Sequence, residues 1–146
     1  MKNRLSLRKV DEENWRCGLK VAESQKSFVA DRAVLLARAY AYRNCRSRAF
    51  IIYEGDTPVG MALYYDCDEL SAYDFSQLFI DERYQGRGLG LAAAEKILSL
   101  MRRDGKYKKA ILCYVEGNTA AKNLYEKLGF AETDRDGDEI IMEAAL

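Results

Sequence analysis

The chain has 146 residues, 49% of them hydrophobic, and its 23 basic and 23 acidic side chains cancel to a formal charge of zero. That length suits one domain, residues 1–146, with apolar residues enough for a core; no apolar run reaches a membrane span, and balanced charge gives nucleic-acid binding no support. Histidine is absent, which removes the commonest general base and argues against most metal sites, so no metal is expected.

In chain order, Met1 to Leu5 alternates and turns polar, unlike a secretory leader. Leu5 to Val10 alternates as a first strand. Asp11 suits a helix N-cap, with Asn14 at the third helical place, and predicts a helix to about Lys20 that packs Trp15 and Leu19. Asp31 suits the cap of a second helix carrying Val34, Leu35, Ala37, Arg38, Ala39 and Tyr42. Phe50 to Tyr53 and Val59 to Tyr65 read as a hairpin whose turn, Glu54 to Pro58, contains the only proline. Asp66 to Ser71 is a loop and Ala72 to Ile80 the next strand.

Leu89, Ala93, Ile97, Leu100 and Met101 then step at helical spacing until Gly105. Ala110 to Val115 is a buried strand which, coming after a helix, should run parallel to the strand before that helix. Asn118 caps a last helix ended by Gly129. Phe130 to Thr133 and Glu139 to Glu143 close the chain as a hairpin through Asp136-Gly137. The fold class is α/β (α+β): a mixed, mostly antiparallel sheet of six to seven strands with helices on both faces.

Charge is unevenly spread. Between Ala49 and Glu82 stand eight acids and no Lys or Arg. Such a block either solvates hairpin loops or steers a cationic ligand. Cys17, Cys45, Cys67 and Cys113 show no C-x-x-C pairing and read as reduced thiols of a cytoplasmic protein.

The most informative stretch is Tyr84-Gln85-Gly86-Arg87-Gly88-Leu89-Gly90, at a handover from strand to helix. Free backbone N–H groups and the helix dipole favour an anion there, and glycine lets a phosphate approach the main chain. A P-loop would need GxxxxGK[ST], and a dinucleotide fingerprint would need glycine where Leu91 stands. Gly86, Gly88 and Gly90, preceded by Gln85, resemble the pyrophosphate segment of the GCN5-related N-acetyltransferase (GNAT) family. Asn118-Thr119-Ala120-Ala121-Lys122-Asn123-Leu124-Tyr125-Glu126-Lys127-Leu128-Gly129-Phe130 resembles that family's second signature, N-x-x-A-x-x-L-Y-x-x-L-G-F. Phe79 to Gly86, and Gln25-x-x-Phe28-Val29-Ala30, are similar to the bacterial spermine/spermidine (diamine) branch.

The resemblance implies acetyl transfer from acetyl-CoA to a primary amine of a small cationic acceptor, a polyamine or diamine, by direct attack in a ternary complex. It implies a splayed parallel strand pair that takes the pantetheine arm along Leu78, Phe79 and Ile80, where a backbone N–H could polarise the thioester carbonyl. It carries over Gln85, Gly86, Arg87, Gly88, Leu89 and Gly90 as pyrophosphate contacts and Asn118 as a cofactor contact. Tyr125 is the expected general acid, because a phenol is protonated at neutral pH and can give its proton to the leaving sulfur. Related polyamine enzymes often place a carboxylate where Ser76 and Gln77 stand here; Asp74, Ser76 and Gln77 are the expected acceptor contacts, and either Asp74 serves as base through water or the acceptor binds as its small neutral fraction. Asp81 and Glu82 suit capping or solvent, and Cys113 reads as inert, buried packing. Other acceptors (an amino acid, an aminoglycoside, a protein N-terminus) and a non-catalytic sensor of acetyl-CoA or polyamine remain alternatives. A homodimer is left open.

Overall fold

A computed structural model describes residues 4–146; Met1, Lys2 and Asn3, part of the segment read as no secretory leader, lie outside the described residues. One seven-stranded sheet runs in the order β1 (Leu5–Lys9), β2 (Arg48–Glu54), β3 (Thr57–Cys67), β4 (Ala72–Ile80), β5 (Lys109–Val115), β7 (Glu139–Ala145), β6 (Ala131–Asp136). All neighbours are antiparallel except β4 and β5. The crossover between those two is α2 (Leu89–Asp104), which makes them parallel as the sequence predicts.

Alternation along β2 divides the core. Ile52 joins Leu5, Phe75 and the inner side of α2 on one face, where Ala93, Ile97 and Met101 are fully buried. Ile51 joins Met61, Leu63 and Phe79 on the other face, under Leu35 of α1 (Arg32–Ala41). The third helix, α3 (Thr119–Lys127), buries no residue completely; Ala121, Leu124 and Tyr125 rest half-covered on the α2 side. Helices therefore cover both faces.

Three expectations need correction. The helix after Asp11 is a single turn. Asp11 and Asn14 cap each other, with N–H to Oδ1 distances of 2.8 and 2.9 Å, but no apolar face continues it, and Gly18 takes a left-handed φ of 73° that a helix cannot. Leu19 is buried as expected, whereas Trp15 is 43% exposed. Pro58 lies inside β3, not in the turn. It faces Tyr53 beside a bulge, where a strand tolerates a missing N–H. Closing the last hairpin, Asp136 already pairs with Glu139, so the turn residues are Gly137 and Asp138, and Phe130 is a core residue before β6.

Where β3 ends, Asp66 is buried beneath three cations: Arg46 at 2.6 Å, Arg48 at 3.0 Å and Lys106 at 3.2 Å. Burial alone would raise its proton affinity; these partners hold it below the ordinary value. Arg46 also grips Asp104, the last residue of α2, and so ties helix to sheet.

Candidate active site

The site begins with a defect in pairing. Tyr73 and Asp74 pair with Ala110 and Ile111 of β5, and there the parallel ladder stops. The rest of β4 stays paired to β3 but leaves β5, which remains paired to β7 along its length. The cause is a bulge: Gln77 faces Leu63 and Phe75 faces Tyr64, so Ser76 is an extra residue on β4. An extra residue bends its strand and resets its alternation. Tyr73 and Phe75 pack on the α2 face, and beyond the bulge it is Leu78 and Ile80 that do so. Ser76 and Gln77 are consecutive, yet both line the gap.

That gap opens into a cavity of about 580 Å³. Ser76, Gln77, Leu78, Phe79 and Ile80 form one wall, and the Gly86–Gly90 turn forms the floor. Asn118, Ala121, Leu124 and Tyr125 form the wall from α3, and the segment from Val21 to Val29 closes the side. Among the described residues no carboxylate lines it; Lys127 supplies the charge. Such a lining suits an anion at the floor.

Floor geometry suits a diphosphate. Gly86 and Gly88 hold φ of 76° and 75°, and a Cβ at either would meet no protein atom within 4 Å, so the space above them is open. Gly88 is the N-cap of α2, and Ala92 N–H donates to its carbonyl at 3.1 Å. The N–H groups of the first turn thus face outward with the positive end of a sixteen-residue helix behind them. Gly90 has a different reason to be glycine: a Cβ would lie 3.2 Å from Leu124, where α2 and α3 touch.

Two expected diphosphate side chains are otherwise engaged. Gln85 donates from Nε2 to the Ile80 carbonyl at 3.0 Å, which fixes the turn. Arg87 pairs with Glu54 at 2.6 Å and is not among the lining residues. Asp81 is a buried clamp, accepting from the N–H groups of Lys20 and Arg83 at 3.0 Å each, and the Arg83 guanidinium holds its pKa down to about 2. Asn118 is buried; its Oδ1 accepts from Ala121 N–H at 3.3 Å and its Nδ2 donates to Gln25 Oε1 at 3.0 Å.

Tyr125 stands between Phe75 and Phe130, edge-on to both at ring distances of 6.1 and 5.8 Å. Burial pushes its phenol well above the ordinary value, so it is a proton donor at neutral pH. Among the described residues its hydroxyl has no hydrogen-bond partner, which leaves it free for a ligand in the cavity.

On the α1 side, Ser76 Oγ accepts from Arg38 Nη1 at 3.1 Å and from the Tyr65 hydroxyl at 3.3 Å. Asp74 lies outside the lining, half-buried on the same side; burial lifts its pKa to about 6 against the opposing pull of Arg38. Cys113 corrects another expectation. It is exposed and lines the cavity, because the departure of β4 uncovers this part of β5. Burial of its surroundings and the carboxylates of Asp74 and Glu139 raise its thiol, which keeps it a poor nucleophile. The acidic block from Glu54 to Glu82 is largely consumed in pairs: Glu54 with Arg87, Asp56 with Arg8, Asp66 with three cations, Asp68 with Lys106 and Asp81 with Arg83.

Sequence reasoning missed Arg38, whose place depends on how α1 docks. It also missed Asn123 and Lys127, cavity residues one turn apart on α3, which i, i+4 spacing from Asn123 could have flagged.

Residues 7–130 match the acetyltransferase (GNAT) family. The chain is 32% identical over 136 residues to a spermine/spermidine N(1)-acetyltransferase of Bacillus subtilis (strain 168), covering 86% of this chain and 87% of that one. It is 30% identical over the same span to a probable spermine N(1)-acetyltransferase of Bacillus subtilis subsp. natto (strain BEST195), with the same coverage. The fold is similar to that of spermidine N-acetyltransferase from Vibrio cholerae in complex with CoA and spermine, with TM-score 0.78, 18% identity, and 98% and 96% of the two chains covered. A PaiA N-acetyltransferase from Thermoplasma acidophilum in complex with coenzyme A gives TM-score 0.76 at 16% identity, covering 97% and 99%. The chain belongs to the GNAT family and is an N-acetyltransferase that takes its acetyl group from acetyl-CoA.

Proposed function

We propose that this enzyme acetylates a primary amine of a small polyamine or diamine by direct attack in a ternary complex. The cavity between the diverging strands carries the proposal, because it brings the Gly86–Gly90 turn, the unpaired side of β4 and the free hydroxyl of Tyr125 together. In this reading the first-turn N–H groups, Gly86, Gly88, Leu89 and Gly90 hold the diphosphate. Leu78, Phe79 and Ile80 pair with the pantetheine arm, and a β4 N–H polarises the thioester carbonyl. Tyr125 gives its proton to the leaving sulfur. Asp74, close to neutrality in its proton affinity, takes the ammonium proton through water. Gln85 and Arg87 support the turn through Ile80 and Glu54, and Asn118 contacts the cofactor from the α3 wall. The acceptor class rests on the Bacillus relatives. One domain spanning residues 1–146, a cytoplasmic setting and reduced thiols belong to the same reading, supported by one continuous sheet and four free cysteines.

A second acceptor class has a specific observation behind it. Arg38 on Ser76 is a cation where a polyamine enzyme often has a carboxylate, and it favours an amine that also carries an anionic group, such as an amino acid. Thiol release with spermidine, spermine, putrescine, amino acids and aminoglycosides separates the classes. Turnover with the three polyamines is expected. Inactivity on all three with turnover of an amino acid would reject the polyamine reading, and acetyl-CoA binding without thiol release from any amine would favour a sensor.

A further inference from the structure

The segment beside the cavity touches the β5–α3 turn at two points. Gln25 Oε1 accepts from Asn118 Nδ2 at 3.0 Å, across ninety-three residues of sequence. Phe28 lies over Gly117, whose left-handed φ of 98° turns a bare face to the ring: a Cβ there would sit 3.8 Å from it. Asn118 is the N-cap of α3 and is buried, but its capping bond to Ala121 is long, at 3.3 Å. A carboxamide fixed at one end only can rotate; one held at both ends cannot. The helix it caps is nine residues long with no fully buried side chain, so little else holds its start. Two turns on, the same helix carries Tyr125.

We infer that Gln25 is a positioning residue for acetyl transfer, acting through Asn118 to hold α3 and thereby Tyr125 at the gap between β4 and β5. The inference rests on Tyr125 being the general acid. Without the Gln25 oxygen, the buried Asn118 Nδ2 loses its partner and the cap must turn to find another. A small rotation at the cap is carried along the helix to the phenol. The Gly86 and Gly88 amides of the diphosphate floor are not part of this chain of contacts; Gly90 beside them touches Leu124 of α3.

The test compares Gln25→Met, which keeps length but removes the acceptor, with Gln25→Glu, which keeps an oxygen for Asn118. Gln25→Met should lower kcat on the order of 10- to 100-fold, the scale set by a misplaced reacting group, while acetyl-CoA Kd changes by less than roughly threefold. Gln25→Glu should recover most of that kcat. In the Tyr125→Phe background, Gln25→Met should add almost nothing, because the two act as a unit. Equal losses in both backgrounds, or a loss confined to acetyl-CoA Kd, would overturn the inference. An unchanged kcat for Tyr125→Phe alone would remove the general-acid reading and this inference with it. If Gln25→Met does not fold, Gln25→Ala is read against the same outcomes.

Discussion

Asp74→Asn should stabilise the protein at neutral pH and slow the reaction. Asp74 sits at the last paired residue of β4 before the gap. Burial raises its carboxyl from the ordinary 3.8 to about 6, with Arg38 opposing. Between those two values the folded chain keeps a proton that the unfolded chain has released. Its contribution to stability is therefore full below the unfolded pKa and is lost as pH rises through the folded one. At about 1.4 kcal/mol per pKa unit the difference has a ceiling of roughly 3 kcal/mol above pH 7, and solvent screening of a half-buried group brings it to about 2. Among the described residues its carboxylate accepts no hydrogen bond, so asparagine removes the charge without breaking a contact. Urea denaturation at pH 7.5 should show a gain of about 2 kcal/mol, falling to about 0.5 at pH 4. The wild-type kcat profile should rise through an inflection near 6 that the variant lacks, and Arg38→Met should move that inflection upward. A stability gain independent of pH, or an inflection unmoved in Asp74→Asn, would refute the assignment.

Tyr125→Phe should lower kcat by ~10- to 1000-fold, the range of general acid–base effects, and leave acetyl-CoA affinity nearly intact; initial-rate thiol release with calorimetric binding checks both. Gly88→Ala adds a Cβ at a φ of 75° above the open floor. It should cost about 1–2 kcal/mol of stability and weaken acetyl-CoA binding more than it alters kcat, read by denaturation and by titration. Asp66→Ala removes the buried carboxylate that Arg46, Arg48 and Lys106 share; Asp104 and Asp68 keep partners for these cations, so the loss should be ~1–3 kcal/mol, measured as a lowered urea midpoint.

What could be read from the residues was what depends on local pattern. Ala72–Ile80 is β4 to the residue, and Gly105 and Asn118 bound their helices as spacing implied. Gly86 and Gly88 were legible as an open turn because left-handed φ is a property of glycine itself, whereas the reason for Gly90, its approach to Leu124, was not. The bulge at Ser76 was not legible, since it arises from register against β3. Nor was the exposure of Cys113, which follows from that bulge. The acidic block looked free because its partners (Arg87, Arg46, Lys106) come from other parts of the chain. Gln25 entered through a motif, and only the fold brings it to Asn118.

The claim at the centre is that the diphosphate of acetyl-CoA rests on the amides of Gly86–Gly90 while its thioester lies between β4 and β5, within reach of the Tyr125 hydroxyl. A crystal grown with CoA at saturation tests it directly. Ligand density on that turn, with the sulfur beside Tyr125 and the arm along Leu78–Ile80, is the predicted result. Density at another surface, or a thiol end pointing away from Tyr125, would contradict it.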